Sequence, residues 1–122
     1  MLILAVALAG AIGAPARYLL DTLVQERAAG VFPWGTFLVN SSGSFLLGLI
    51  TGLALYHGLG DVPKTLAGTG FCGSFTTFST FSYETVRLLE DGARFEAVAN
   101  VAASVVVGLA AAALGMVVAA AV

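Results

Sequence analysis

Charge is what this sequence has least of. Asp, Glu, Lys and Arg make up 10% of its 122 residues, against about a quarter in an ordinary soluble domain. The apolar share of 59% and the mean hydropathy of +1.00 put the chain in a membrane rather than in water. There is one cysteine, Cys72, which excludes an internal disulfide and any multi-cysteine metal cluster. It reads as a small buried side chain. The sequence has no basic run, and a net charge of −2 is too small to point to nucleic acid. No carboxylate and no histidine falls deep inside an apolar run, and no nucleophile has a base beside it. The chain is therefore not read as an enzyme.

What is present is apolar length. Met1–Ala16 carries no charge, and its pattern runs on to Leu20. Ala28–Gly60 is 33 residues without Asp, Glu, Lys or Arg, and Ala97–Val122 is another 26. Thr65–Tyr83 is a further uncharged stretch. A spanning helix needs roughly 20 apolar residues, so one transmembrane domain over residues 1–122 is expected. It would be all-α, with four spans at about 2–24, 33–56, 63–87 and 95–121. The first span contains Ala9-Gly10-Ala11, which looks like a signal cleavage site, but it has no basic region before it. It reads as a retained helix.

The third span is the unusual one. Between Lys64 and Glu84 there is no charge, yet Gly68, Gly70 and Gly73 are interleaved with Ser and Thr and with Phe71, Phe75, Phe78 and Phe81. A plain membrane helix would not need so many hydroxyls, and a soluble loop would not carry four Phe. The pattern predicts a membrane helix broken in mid-span and lining a polar path. The plainer alternative is a helix whose Ser and Thr pack against neighbours. Gly68-x-Gly70-x-x-Gly73 matches a dinucleotide fingerprint, but the strand–turn–helix that motif requires is missing. The glycines fit unwound backbone whose carbonyls turn inward to a cation. Phe75, Phe78 and Phe81 would lie on one side of the resumed helix.

The other spans carry small or polar stripes. Gly10, Gly13 and Arg17 share a face of the first, and Pro15 is an expected kink. Arg17 either snorkels to the interface or attracts anions in a vestibule. Pro33-Trp34 opens the second span. Within it Asn40, Ser44, Gly48 and Gly52 recur every fourth residue, with Thr36 one turn earlier. This is a seam for close helix packing. Asn40 serves either as interhelical glue or as a hydrogen-bond donor. Asn40-Ser41-Ser42 is a glycosylation pattern out of reach inside a span, and His57 reads as interfacial. Asn100, Ser104 and Gly108 form the stripe of the fourth span. No role for Asn100 follows from its position.

Hydrogen-bond donors without a titratable group suit a passing anion. Phe ring edges are electropositive, and neutral donors let an ion leave as well as enter. Three motifs, GxxGAxxRY at Gly10–Tyr18, TFLVNSSGSFLLG at Thr36–Gly48 and GFCGSFTTFSTFSYE at Gly70–Glu84, resemble the CrcB (Fluc) family of bacterial fluoride channels. The resemblance covers all four spans. It implies an antiparallel, dual-topology homodimer in the bacterial inner membrane, a multi-pass protein with two pores that passively exports cytoplasmic fluoride. It further implies that Phe78 and Phe81 turn ring edges to the ion, and that Asn40, Thr36, Thr77, Ser79 and Ser104 line the path. Arg17 and Glu84 match vestibule positions. Gly73 and Thr76 match main-chain ligands of a structural sodium ion (Na+) at the dimer interface.

Charge alone argues against dual topology: Arg17, Arg27, Arg87 and Arg94 fall on one side of four spans and Lys64 on the other. The competing expectation is a proton-coupled exporter of the small multidrug-resistance type. It requires an embedded carboxylate in the first span, where none is found. A non-conducting assembly subunit is the third.

Overall fold

The uncharged runs form helices wherever nothing interrupts them. In the computed structural model, which describes all 122 residues, α1 spans Leu2–Arg27 and α2 spans Trp34–His57. The last helix, α6, spans Arg94–Ala121. These three are long and apolar enough to cross a membrane; at 1.5 Å per residue α6 alone reaches about 42 Å. α1 continues through Pro15 without a break and ends three residues past the expected Val24. Gly30 follows with φ +85°, a conformation that favours glycine. α2 ends on Gly58 in the left-handed conformation, a common helix terminator.

The stretch between α2 and α6 is divided. It runs as α3 (Asp61–Thr65), a π-helical segment (Leu66–Cys72), α4 (Gly73–Phe75) and α5 (Phe78–Glu90). Thr76 and Thr77 between α4 and α5 are extended, with ψ of 158° and 118°. The interruption therefore lies after the glycines rather than at them. Gly68 and Gly70 keep their main chain in a helix, wound more widely than an α-helix, so the expectation of unwound backbone at the glycines is corrected. The reason is packing. A Cβ at Gly70 would lie 2.7 Å from Ala9 Cβ, and one at Gly13 would lie 2.5 Å from the Phe71 carbonyl oxygen. The glycines let the π segment and α1 touch backbone to backbone.

The second seam is also internal to the chain. A Cβ at Gly48 would fall 2.0 Å from the Ala112 oxygen, and one at Gly115 would fall 2.2 Å from the Phe45 oxygen. The Ser44–Gly48–Gly52 stripe thus joins α2 to α6, rather than facing a second copy. At one end of that pair His57 Nε2 lies 2.7 Å from the Ala119 oxygen. Phe75, expected to share a face with Phe78 and Phe81, belongs to α4 instead. It is buried and stacks on Phe71 at 5.5 Å between ring centroids.

Only 17 of the 122 residues are buried, so most of the apolar side chains face outward. An outer surface this apolar suits lipid or a protein partner. Among the buried residues just three are polar: Thr36, Thr77 and Asn100. Each sits in a hydrogen-bond network, and no buried side-chain nitrogen or oxygen lacks a partner.

Candidate functional site

The site is built on the two extended residues. Thr76 ends α4 by sending both its N–H and its hydroxyl to the Cys72 carbonyl, each at 2.9 Å. Thr77 starts α5: its Oγ1 accepts the Thr80 N–H at 3.2 Å, the usual job of a Thr before a helix. That same hydroxyl donates to Thr80 Oγ1 at 3.1 Å and lies 3.2 Å from Ser79 Oγ. Four hydroxyl-bearing residues, Thr76, Thr77, Ser79 and Thr80, therefore gather within one short stretch of chain.

Asn40 holds this turn from α2. Its Nδ2 donates to the Thr77 carbonyl at 2.9 Å, and its Oδ1 accepts the Thr77 N–H at 2.8 Å. The pair of bonds mimics one rung of a β-ladder. A continuous α-helix would have sent the Thr77 N–H to the Gly73 carbonyl; Asn40 takes it instead. No main-chain N–H reaches the Thr76 carbonyl. The Gly73 and Thr76 main-chain oxygens are thus among those released from helical bonding at the interruption. One hydrogen of the Asn40 amide is used on Thr77, and an amide nitrogen carries two.

Two cavities meet at Thr77. One, of about 340 Å³, is lined by Asn40, Gly43, Ser44, Gly73, Thr76, Thr77 and Phe78 among others. The other, of about 160 Å³, is lined by Arg17, Tyr18, Asp21, Thr36, Val39, Thr77 and Thr80. Arg17 is half-buried and shares this second space with the Thr36 side chain. The Thr36 hydroxyl donates to Glu84 Oε1 at 2.5 Å. Glu84 in turn borders a wholly polar recess with Asp21, Thr22, Gln25 and Glu26. Charge of both signs is therefore found at the α1 end of the site, and none around the larger cavity.

Phe78 and Phe81 stand on the first turn of α5 with ring centroids 5.8 Å apart and planes tilted by 40°. Phe78 is 79% exposed and borders the larger cavity, whereas Phe81 is half-buried. So Asn40, Thr76, Thr77, Gly73 and Phe78 come together, and Thr36, Arg17 and Glu84 gather on the far side of Thr77. Ser104 does not join either group: its hydroxyl donates to Asn100 Oδ1 at 3.4 Å. Sequence reasoning passed over Thr80 and Thr85. The signal was there in spacing, since Thr80 lies three residues after the Thr77 cap and Thr85 lies four after Phe81.

This arrangement can be compared with known proteins. The sequence profile of the family described as "CrcB-like protein, Camphor Resistance (CrcB)" matches residues 4–116. The chain belongs to the CrcB family. The CrcB chain is 56% identical over 113 residues to a protein of Frankia casuarinae named "Fluoride-specific ion channel FluC 1", with 86% of this chain and 85% of that protein covered. A protein of Streptomyces avermitilis with the same name is 54% identical over 110 residues, covering 89% of each. "Fluoride-specific ion channel FluC" of Geobacter sulfurreducens is 56% identical over 104 residues, 84% of each. Family membership together with the three long apolar helices makes this CrcB chain a multi-pass integral membrane protein, in bacteria one of the inner membrane.

Proposed function

We propose that the chain is a fluoride-selective passive ion channel that lets cytoplasmic fluoride out of the cell. The observation that carries the reading is Thr77: an extended residue bordering a cavity on each side, clamped by Asn40 and followed at once by Phe78 and Phe81. The names of relatives at 54–56% identity support fluoride as the ion. Hydrogen fluoride enters cells as a neutral acid and ionises inside, so a leak for the anion suffices and no catalysis is required.

In this reading the α3-to-α5 stretch crosses the membrane as a fourth span broken near its middle. Two copies associate antiparallel, in dual topology, to give two pores. The anion passes between the Phe78 and Phe81 ring edges and the donors Asn40, Thr77, Ser79 and Thr36. Arg17 and Glu84 lie in a vestibule. Weak neutral donors hold a small anion without trapping it. A structural sodium ion fits the donor set: Gly73 and Thr76 have main-chain oxygens freed from helical bonding, and carbonyl oxygens suit a hard monovalent cation. Its charge would lower the cost of an anion nearby. Nothing favours the proton-coupled exporter.

The test is efflux from liposomes that contain the purified chain alone. Fluoride should leave and chloride should stay. Equal flux of the two anions refutes selectivity, and no flux at all refutes conduction by this chain by itself.

A further inference from the structure

Asn100 is the one buried polar side chain with no part in the site just described. It is 1% exposed in a helix made mostly of Ala and Val. An amide there is costly unless it is fully bonded. Its Nδ2 donates to Thr85 Oγ1 at 2.9 Å. The Thr85 hydroxyl donates in turn to the Phe81 carbonyl at 2.8 Å. With the Ser104 hydroxyl on Asn100 Oδ1, every donor points the same way, from α6 towards Phe81. Such aligned chains strengthen one another.

We propose that Asn100 is a positioning residue for Phe81, acting through Thr85. The proposal rests on the reading that Phe81 faces the anion. α5 begins directly after two extended residues, so no continuous helix upstream sets its rotation. Asn40 holds its first residue through Thr77, and two adjacent residues hold it one turn further on. Glu84 is held by Thr36 of α2, and Thr85 is held by Asn100 of α6. Consecutive residues project about 100° apart on a helix. Restraints in two directions therefore fix both the rotation and the height of the turn that carries Phe81. The Ala and Val side chains of α6 are too uniform to specify that rotation. Phe78, three residues earlier, directly after the Asn40-held Thr77 and largely exposed, is outside this restraint.

The experiment uses the full chain in liposomes, with 4-fluorophenylalanine placed at position 81 and, separately, at 78. The variants are Asn100→Leu, Thr85→Val, both together, Thr85→Ser and Phe81→Ile. With the secondary structure and the oligomer retained, Asn100→Leu and Thr85→Val should each shift or broaden the fluorine resonance at 81 and spare that at 78. Fluoride efflux should fall about tenfold in each, equivalent to about 1.4 kcal/mol. The double variant should be no worse than either single one, and Thr85→Ser should match the parent. Should Asn100→Leu fail to fold, Thr85→Val breaks the same chain without touching α6. An unchanged resonance at 81 in folded Asn100→Leu or Thr85→Val overturns the proposal, as does full additivity in the double variant. Normal, selective flux through Phe81→Ile overturns the reading of Phe81 itself. The resonance at 81 would still report whether Asn100 positions the ring.

Discussion

Replacing Asn40 with Ala removes both halves of a reciprocal bond, and the cost follows from where Thr77 sits. Thr77 is 8% exposed, so bulk water does not replace the lost amide, and only water held in the two adjoining cavities is within reach. Its N–H and its carbonyl are each left without the partner at 2.8 and 2.9 Å. An unsatisfied buried polar group costs about 1–3 kcal/mol, so the two together amount to about 2–6 kcal/mol against the interrupted conformation. The lost N–H bond alone corresponds to about 5- to 150-fold faster amide exchange at Thr77, at 1.36 kcal/mol per tenfold. Hydrogen exchange read at residue 77 in detergent measures this directly. Asn40→Asp is the sharper control. It keeps an acceptor for the Thr77 N–H but sets a second oxygen against the Thr77 carbonyl, so the N–H bond should persist while fluoride flux falls. Exchange at Thr77 that is unchanged in Asn40→Ala, with flux unchanged as well, would show that the clamp does not hold the interruption.

Other outcomes follow from neighbouring contacts. Phe78→Ile and Phe81→Ile keep bulk and apolar character but lose the electropositive ring edge; fluoride flux should collapse with the fold intact, and normal conduction in both would leave hydroxyl and amide donors as the carriers. Gly48→Ala should push α2 from α6, because its Cβ would meet the Ala112 oxygen at 2.0 Å, at a cost of about 1–3 kcal/mol. Gly68→Ala, whose Cβ would rest 3.6 Å from Leu47 Cδ1, should cost far less by thermal unfolding in detergent; equal melting of the two would contradict the seam. Exchanging sodium for N-methylglucamine should lower both melting temperature and flux if Gly73 and Thr76 hold sodium; identical behaviour in the two salts would remove the cation from the proposal.

Much of this protein is readable without coordinates. The shortage of charge and the lengths of the uncharged runs demand membrane helices, because lipid offers the backbone no partner outside a helix. The motif in Gly70–Glu84 marks the functional stretch, since hydroxyls, glycines and aromatic rings rarely share one span without a purpose. Asn40 was visible as a polar side chain too costly to leave unbonded. Its partner was not. Whether that amide faces an ion, a neighbouring helix or a backbone depends on which segment tertiary packing lays against α2, and periodicity is blind to that. The same limit moved the interruption from the glycines to Thr76 and Thr77. Glycine lowers the cost of leaving a helix, but it equally permits the backbone contact with α1 that keeps Gly70 wound. The Gly48 seam could have faced another copy until α6 occupied it. Asn100 is the clearest case: composition marks it as an exception in an Ala/Val helix, and only the fold brings it to Thr85, because a hydrogen bond is decided by a few tenths of an ångström between elements that the chain order leaves free.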